Sequence, residues 1–240
     1  MEIKNIQFGA VVSVLPYTAV ADAGWVPPSR RLFARSRVRM RGGGGLLLRE
    51  LPYRQVEEVL SAIPKTKPFF LPITVLSKDK STRMNTWRTL CARLEKHIGS
   101  GAAPFGLIVD TALAVLSGTY NENITEITEV LQLLSTLRVP LGVRFSVLTP
   151  PDVVGDIVRL PVCDALFVAE SVSWRSLTPE SRRVFFRREK SPFSDDTGFV
   201  LGKYIVPLMQ EWVRQLRRQG IRKPIVGVGA LRPSDVAAYK

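Results

Sequence analysis

Side chains able to do chemistry are scarce in this chain of 240 residues. Its single histidine, His97, excludes any site built on several imidazoles. The cysteines Cys91 and Cys163 are far apart and form no Cys-x-x-Cys pair, so they indicate neither a disulfide framework nor a zinc site. Cysteine often serves as a small buried filler, and both are expected to do so here. Positive charge, by contrast, is abundant. Lys and Arg number 34 against 21 Asp and Glu, for a net charge of +13. Arginine pairs occur at Arg30-Arg31, Arg182-Arg183, Arg187-Arg188 and Arg217-Arg218. Such a surface attracts phosphates, nucleic acid, anionic lipid or acidic proteins, and an ordinary solvated surface fits the same charge equally. The runs are scattered along the chain, and no helix-turn-helix or RNA-binding signature accompanies them.

The elements that must position these groups follow from composition and period. Hydrophobic residues make up 45% and charged residues 23%, enough for one large α/β domain or two small ones. No apolar run approaches the roughly 18 residues needed to cross a bilayer. The start, Met1-Glu2-Ile3-Lys4, is not a secretory signal. A soluble intracellular protein is expected, with cytoplasmic and mitochondrial placement both open.

Buried strands are predicted at Phe8–Leu15, Pro68–Leu76, Phe105–Leu113, Pro140–Leu148, Cys163–Val172 and Pro224–Leu231. Helices are predicted at Arg83–His97, Ile124–Leu137, Asp152–Leu160 and Gly202–Gln219, with another beginning at Ser234. Ile124, Ile127, Leu131 and Leu134 share one face of the second helix. Thr125 should begin its acidic first turn, and Asp152 should cap the third helix. Gly220 should stop the fourth, and His97 suits the C-terminal dipole of the first. Residues 16–50, with Gly42 to Gly45, read as an irregular loop or flap. Near-continuous apolar strands alternating with helices indicate a parallel sheet covered on both faces. The expectation is α/β, a single domain over 1–240 of (β/α)8 TIM-barrel type. About six strands are readable where a barrel needs eight, which predicts one missing before Met1 and one after Lys240.

Gly198-Phe199-Val200-Leu201-Gly202-Lys203-Tyr204-Ile205-Val206-Pro207 precedes a helix and then Pro224-Ile225-Val226-Gly227-Val228-Gly229-Ala230. In order and spacing this resembles the flavin-dependent dihydroorotate dehydrogenase family, with its glycine-rich loop, helix and P-I-I-G-x-G-G strand. Glu170-Ser171-Val172-Ser173-Trp174, with Ser191-Pro192 downstream, is similar to an N-S-V-P-W motif of one branch. Gly9 to Leu15, followed by Gly24 and Pro27-Pro28-Ser29-Arg30, is similar to the family's early strand and its GNP-x-PR loop. The resemblance implies an FMN site over the C-terminal ends of the strands. Backbone at Gly202, Gly227 and Gly229 would approach the phosphate, with Arg144, Glu170 and Ser171 nearby. Without that context the same glycines read as turn and helix-packing positions.

The departures from the pattern fall on its polar residues. Arg144 stands where the family has a flavin-facing lysine; it keeps the charge, is larger, and cannot lose its proton. Asp110 and Glu170 stand where substrate-binding asparagines would be, and a carboxylate offers acceptors only. Ser13-Val14 replaces a lysine-threonine pair, Trp25 the loop asparagine, and Ala230 the second glycine of the last strand. The general base, a Cys or Ser of a loop, falls within Ala114–Asn123, which offers Ser117. No metal site is implied.

Two functions follow as expectations. One is FMN-dependent oxidation of dihydroorotate to orotate in pyrimidine biosynthesis. The other is a non-catalytic relative, a pseudoenzyme serving as a structural or interaction subunit of a larger complex, for which an RNA-containing one is a candidate. Exposed edges of an incomplete barrel predict a homo- or hetero-oligomer. The basic surface predicts contact with nucleic acid or acidic protein.

Overall fold

A computed structural model describes residues 18–20, 37–39, 45–48, 53–61, 70–77, 79–99, 106–111, 120–169, 171–186, 190, 198–202 and 205–227. The expected strand at Phe8–Leu15 and the helix from Ser234 lie outside these residues, as do Ser117, Glu170 and Gly229.

A parallel sheet carries the fold. Its strands are β1 (Thr18–Val20), β4 (Tyr53–Gln55), β5 (Phe70–Thr74), β6 (Gly106–Asp110), β7 (Leu141–Phe145), β8 (Ala165–Val168) and β11 (Ile225–Val226), in the spatial order β11-β8-β7-β6-β5-β1-β4. Every pair in it is parallel. From β5 to β11 the strands succeed one another in chain order, whereas β4 lies beyond β1, so the order reverses at β1. All residues of β5 to β8 are buried, as expected of strands covered on both faces.

A second, antiparallel sheet has the order β2-β3-β10-β9, formed by β2 (Arg37–Arg39), β3 (Gly45–Leu48), β10 (Phe199–Gly202) and β9 (Ser171–Ser173). Three expectations change here. The strand read as Cys163–Val172 divides at Ala169: its first part stays in the parallel sheet and Ser171–Ser173 joins the antiparallel one. Gly202 ends β10 rather than opening a helix; its φ of 94° turns the chain, and the helix starts at Val206. The stretch read as irregular over 16–50 contains β1, β2 and β3. Strands of three or four residues are too short to carry a period.

Helices α1 (Val56–Ser61), α2 (Lys80–Gly99), α3 (Tyr120–Ser135), α4 (Pro151–Val158), α5 (Pro179–Phe186) and α6 (Val206–Arg218) complete the described elements, with a 3-10 turn at Trp174–Ser176. Among them, α2 packs on α3, α3 on α4, and α4 on α6. Their apolar stripes, including Leu90, Leu94, Ile127, Leu131, Leu134, Val154, Ile157, Trp212 and Leu216, bury against Leu71, Ile73, Leu107, Val109, Leu141, Val143, Leu166 and Val168 of one sheet face. Two cap expectations are corrected. Pro150 is the N-cap of α4 and makes no side-chain cap bond, while Asp152 sits in the first turn and accepts from Gln219 Nε2 at 2.6 Å. Helix α3 starts at Tyr120, so Thr125 lies inside it. As expected, Gly220 follows α6 with a φ of 80°, and His97 lies in the last turn of α2.

The opposite sheet face carries a separate cluster of Phe70, Ile108, Ala165 and Phe167. Phe70 and Phe167 belong to strands three steps apart, yet their ring centroids lie 5.1 Å from each other. In a flat sheet those strands would be about 14 Å apart. Each ring therefore leans inward over the neighbouring strand, Phe70 over Gly106 and Phe167 over Gly142, and the two meet there. Gly106 and Gly142 on the intervening strands make room: a Cβ would come within 2.4 Å of Phe70 Cε1 and 2.3 Å of Phe167 Cε2, respectively.

Candidate functional site

Alternation along β5, β6 and β7 places Thr74, Asp110 and Arg144 on the same face as Phe70, toward the C-terminal ends of the strands. Ligands of parallel α/β sheets bind at that end, because loops of varied sequence converge there. Asp110 and Arg144 are register partners across the β6–β7 ladder. Arg144 Nη1 donates to Asp110 Oδ2 at 3.1 Å, and the Arg144 and Asp110 side chains are 7% and 0% exposed. Thr111 extends this junction: its N–H and its hydroxyl donate to Arg144 O at 3.1 and 2.7 Å.

A second buried ion pair stands beside the first. Arg83 of α2 donates from Nε and Nη2 to Glu126 Oε1 and Oε2 of α3, both at 2.6 Å. Arg83 Nη1 also donates to Ser77 O at 2.9 Å, which fixes the chain leaving β5. Planar guanidinium and carboxylate meet edge to edge here, the strongest geometry such a pair can take. A cavity of about 20 Å³ is lined by Thr74, Asp110 and Thr111 of the strand ends and by Arg83 and Glu126. That volume suits one water molecule. Thr74 Oγ1 is buried and has no hydrogen-bond partner.

The pair Arg83–Glu126 was not anticipated as part of the site. Its signal was a charge inside an apolar stripe: Arg83 precedes Trp87 and Leu90 at helical spacing, and Glu126 precedes Val130. Glu126 ties α3 to α2 through this pair.

The other expected site residues are dispersed. Ser171 is buried in β9 and pairs in register with Leu201 of β10. Gly202 is exposed at the end of β10, ahead of the first turn of α6. Gly227 is exposed directly after β11. The cysteines are both buried: Cys91 in α2 against Leu133 O and Thr136 Oγ1, and Cys163 just before β8. Burial raises the Cys163 thiol to about 11, outweighing the opposing charge of Lys223. Neither cysteine is placed as a base or nucleophile. Among the described residues no group of three His, Cys, Asp or Glu is arranged to hold a metal, and no helix is long and apolar enough to cross a membrane.

No family model matches the sequence, and no curated protein matches it.

Proposed function

We propose that the chain is a (β/α)-barrel protein of dihydroorotate dehydrogenase type that no longer catalyses and serves as a structural or interaction subunit. The resemblance carried by Gly198–Pro207 and Pro224–Ala230 supports the barrel, and the parallel sheet covered by helices is compatible with it. The strand order reverses at β1, a feature that doubly wound sheets also have.

The observation that carries the loss of catalysis is the Asp110–Arg144 ion pair. A cation beneath a reduced flavin must offer its charge to the ring. Here that charge is met by a carboxylate on the neighbouring strand. The same carboxylate would repel the carboxylate of dihydroorotate. The described residues at this end therefore fit neither flavin ring nor substrate, and no reaction step is assigned to them.

A second reading is FMN-dependent oxidation of dihydroorotate. It is favoured by Gly202 and Gly227, exposed glycines whose backbones a phosphate could approach. The visible spectrum of the purified protein, desalted after incubation with excess FMN, separates the two. The scaffold reading expects no retained flavin and no dihydroorotate-dependent reduction of an electron acceptor. Stoichiometric flavin with turnover that vanishes in Arg144→Ala would overturn it.

A further inference from the structure

The sheet is parallel and its helices run back against it, so the C-termini of α2, α3, α4 and α6 gather at one end, opposite the Asp110–Arg144 pair. Basic residues scattered in sequence come together there. Lys96 lies in the last turn of α2, and Arg138 follows α3 with a φ of 55°. Arg159 is the C-cap of α4 and donates to Gln219 O beyond α6 at 3.2 Å. Arg218 ends α6, with Arg222 and Lys223 just beyond it. Lys223 Nζ donates to Leu160 O and Cys163 O, which binds this loop to the one after α4.

Arg159 and Lys223 are thus held by backbone carbonyls, which leave their net charge in place. Among the described residues, the carboxylates near these cations include Glu95, Asp152, which accepts from Gln219, Asp156, Asp164 and Glu211. Asp164 accepts from Leu141 N, and Asp156 approaches Arg159 only to 3.8 Å. Glu211 binds Arg214 at 2.7 Å and reaches Arg218 at 3.8 Å. The partial negative charge at each helix C-terminus, about half an elementary charge, offsets the excess only in part.

We propose that this end of the sheet is a binding face for the phosphate backbone of single-stranded RNA. Neighbouring helices pack about 8–10 Å apart, so the four helix ends span roughly 25–30 Å. That suits an extended polyanion. Arginine forms 24 of the 34 basic residues, and its fork matches phosphate oxygens. A protein partner would need apolar anchors at the centre of its interface. Among the described residues, the large hydrophobic side chain that is exposed is Leu148, in the loop after β7 at the opposite end. The proposal rests on the subunit reading above and names its partner.

The test is fluorescence anisotropy of the full-length protein with a labelled single-stranded RNA oligonucleotide of mixed sequence, over a range of salt. Arg138→Gln/Arg218→Gln/Arg222→Gln should weaken binding about tenfold or more near 0.1 M salt and reduce the slope of log K against log salt by about 2. Lys80→Gln/Arg88→Gln/Arg175→Gln, which removes the same charge elsewhere, should stay within about twofold of wild type. Both triples should melt with the wild type. Should the first melt lower, Arg218→Gln/Arg222→Gln spares the left-handed backbone at Arg138 and should give the same direction at smaller amplitude. Equal loss in the two triples, absence of RNA binding, or competition by poly-glutamate as effective as by RNA overturns the proposal. Flavin retention overturns the subunit reading alone, whereas failed RNA binding by a flavin-free protein overturns the partner alone.

Discussion

Asp110 and Arg144 face each other across two adjacent parallel strands, in register and buried, with 3.1 Å between Oδ2 and Nη1. Charge brought into a sheet interior must be matched there, because desolvation costs several kcal/mol per ion. Each of the two is thus a condition for burying the other.

Arg144→Met should therefore destabilise the protein by about 3–5 kcal/mol, since it strands a buried carboxylate. Asp110→Leu/Arg144→Met should cost much less than the sum of its single changes. Urea denaturation of the four proteins checks this; additive costs would show that the two side chains are not coupled. Glu126→Gln should behave like the buried case. Glu129→Gln, which breaks the exposed pair with Lys80, should cost less than about 1 kcal/mol.

The face beneath the two rings predicts a graded response to added methyl groups. Gly142→Ala and Gly106→Ala should each cost about 1–3 kcal/mol through contact with the Phe167 and Phe70 rings. Trimming the ring should relieve the first more than the second. At Gly142 the nearest backbone atom is Ala165 O at 3.1 Å; at Gly106 it is Pro140 O at 2.8 Å, which cannot withdraw. Thermal melting of Gly142→Ala/Phe167→Leu and Gly106→Ala/Phe70→Leu reads the difference. Equal rescue would place the clash in the rings alone.

Asp79 caps α2. Its Oδ2 accepts from Ser81 Oγ, Thr82 Oγ1 and Thr82 N at 2.6–2.7 Å. The Ser81 hydroxyl, then the Thr82 hydroxyl and N–H, hold this carboxyl well below the usual carboxylate range. A folded-state pKa below the unfolded one means stability present above about pH 4 and lost as pH falls through the folded value. Asp79→Ala should lower the melting temperature at pH 7, and the gap to wild type should shrink steadily from about pH 4 downward. A gap independent of pH would mean that the carboxylate charge contributes nothing to the cap.

Burial and a thiol near 11 make Cys163 inert in the native protein. Iodoacetamide at pH 8 should leave it unmodified, as mass spectrometry of peptides would report, and should label it fully in denaturant. Rapid native labelling would show that the chain before β8 opens readily.

Much of this was legible in the sequence, for reasons that differ by element. Strands β5 to β7 were found because runs such as PFFLPITVL are apolar on both faces. Helices α2, α3 and α6 were found from their stripes, and Gly220 marked an end because a left-handed turn favours glycine. Strands β1 to β4 were not readable: three or four residues carry no period, and their pairing is supplied by distant segments. At the site, Asp110 and Arg144 could each be singled out, but their mutual contact is a matter of strand register, which no local pattern encodes. Ser117, Glu170 and Gly229 fall outside the described residues.

The antiparallel sheet also has a consequence for how the protein is made. Leu47 of β3 pairs with Val200 of β10, while the ladders of β5 to β8 join residues much closer in the chain. On a ribosome the parallel layer can dock strand by strand as it emerges. The β3 segment must wait for roughly 150 further residues before its partner exists, an interval of about 10–30 s at ordinary synthesis rates. Strand β2 can pair with one edge of Leu46-Leu47-Leu48 at once, but the other edge stays open throughout that wait, an edge for a chaperone to cover.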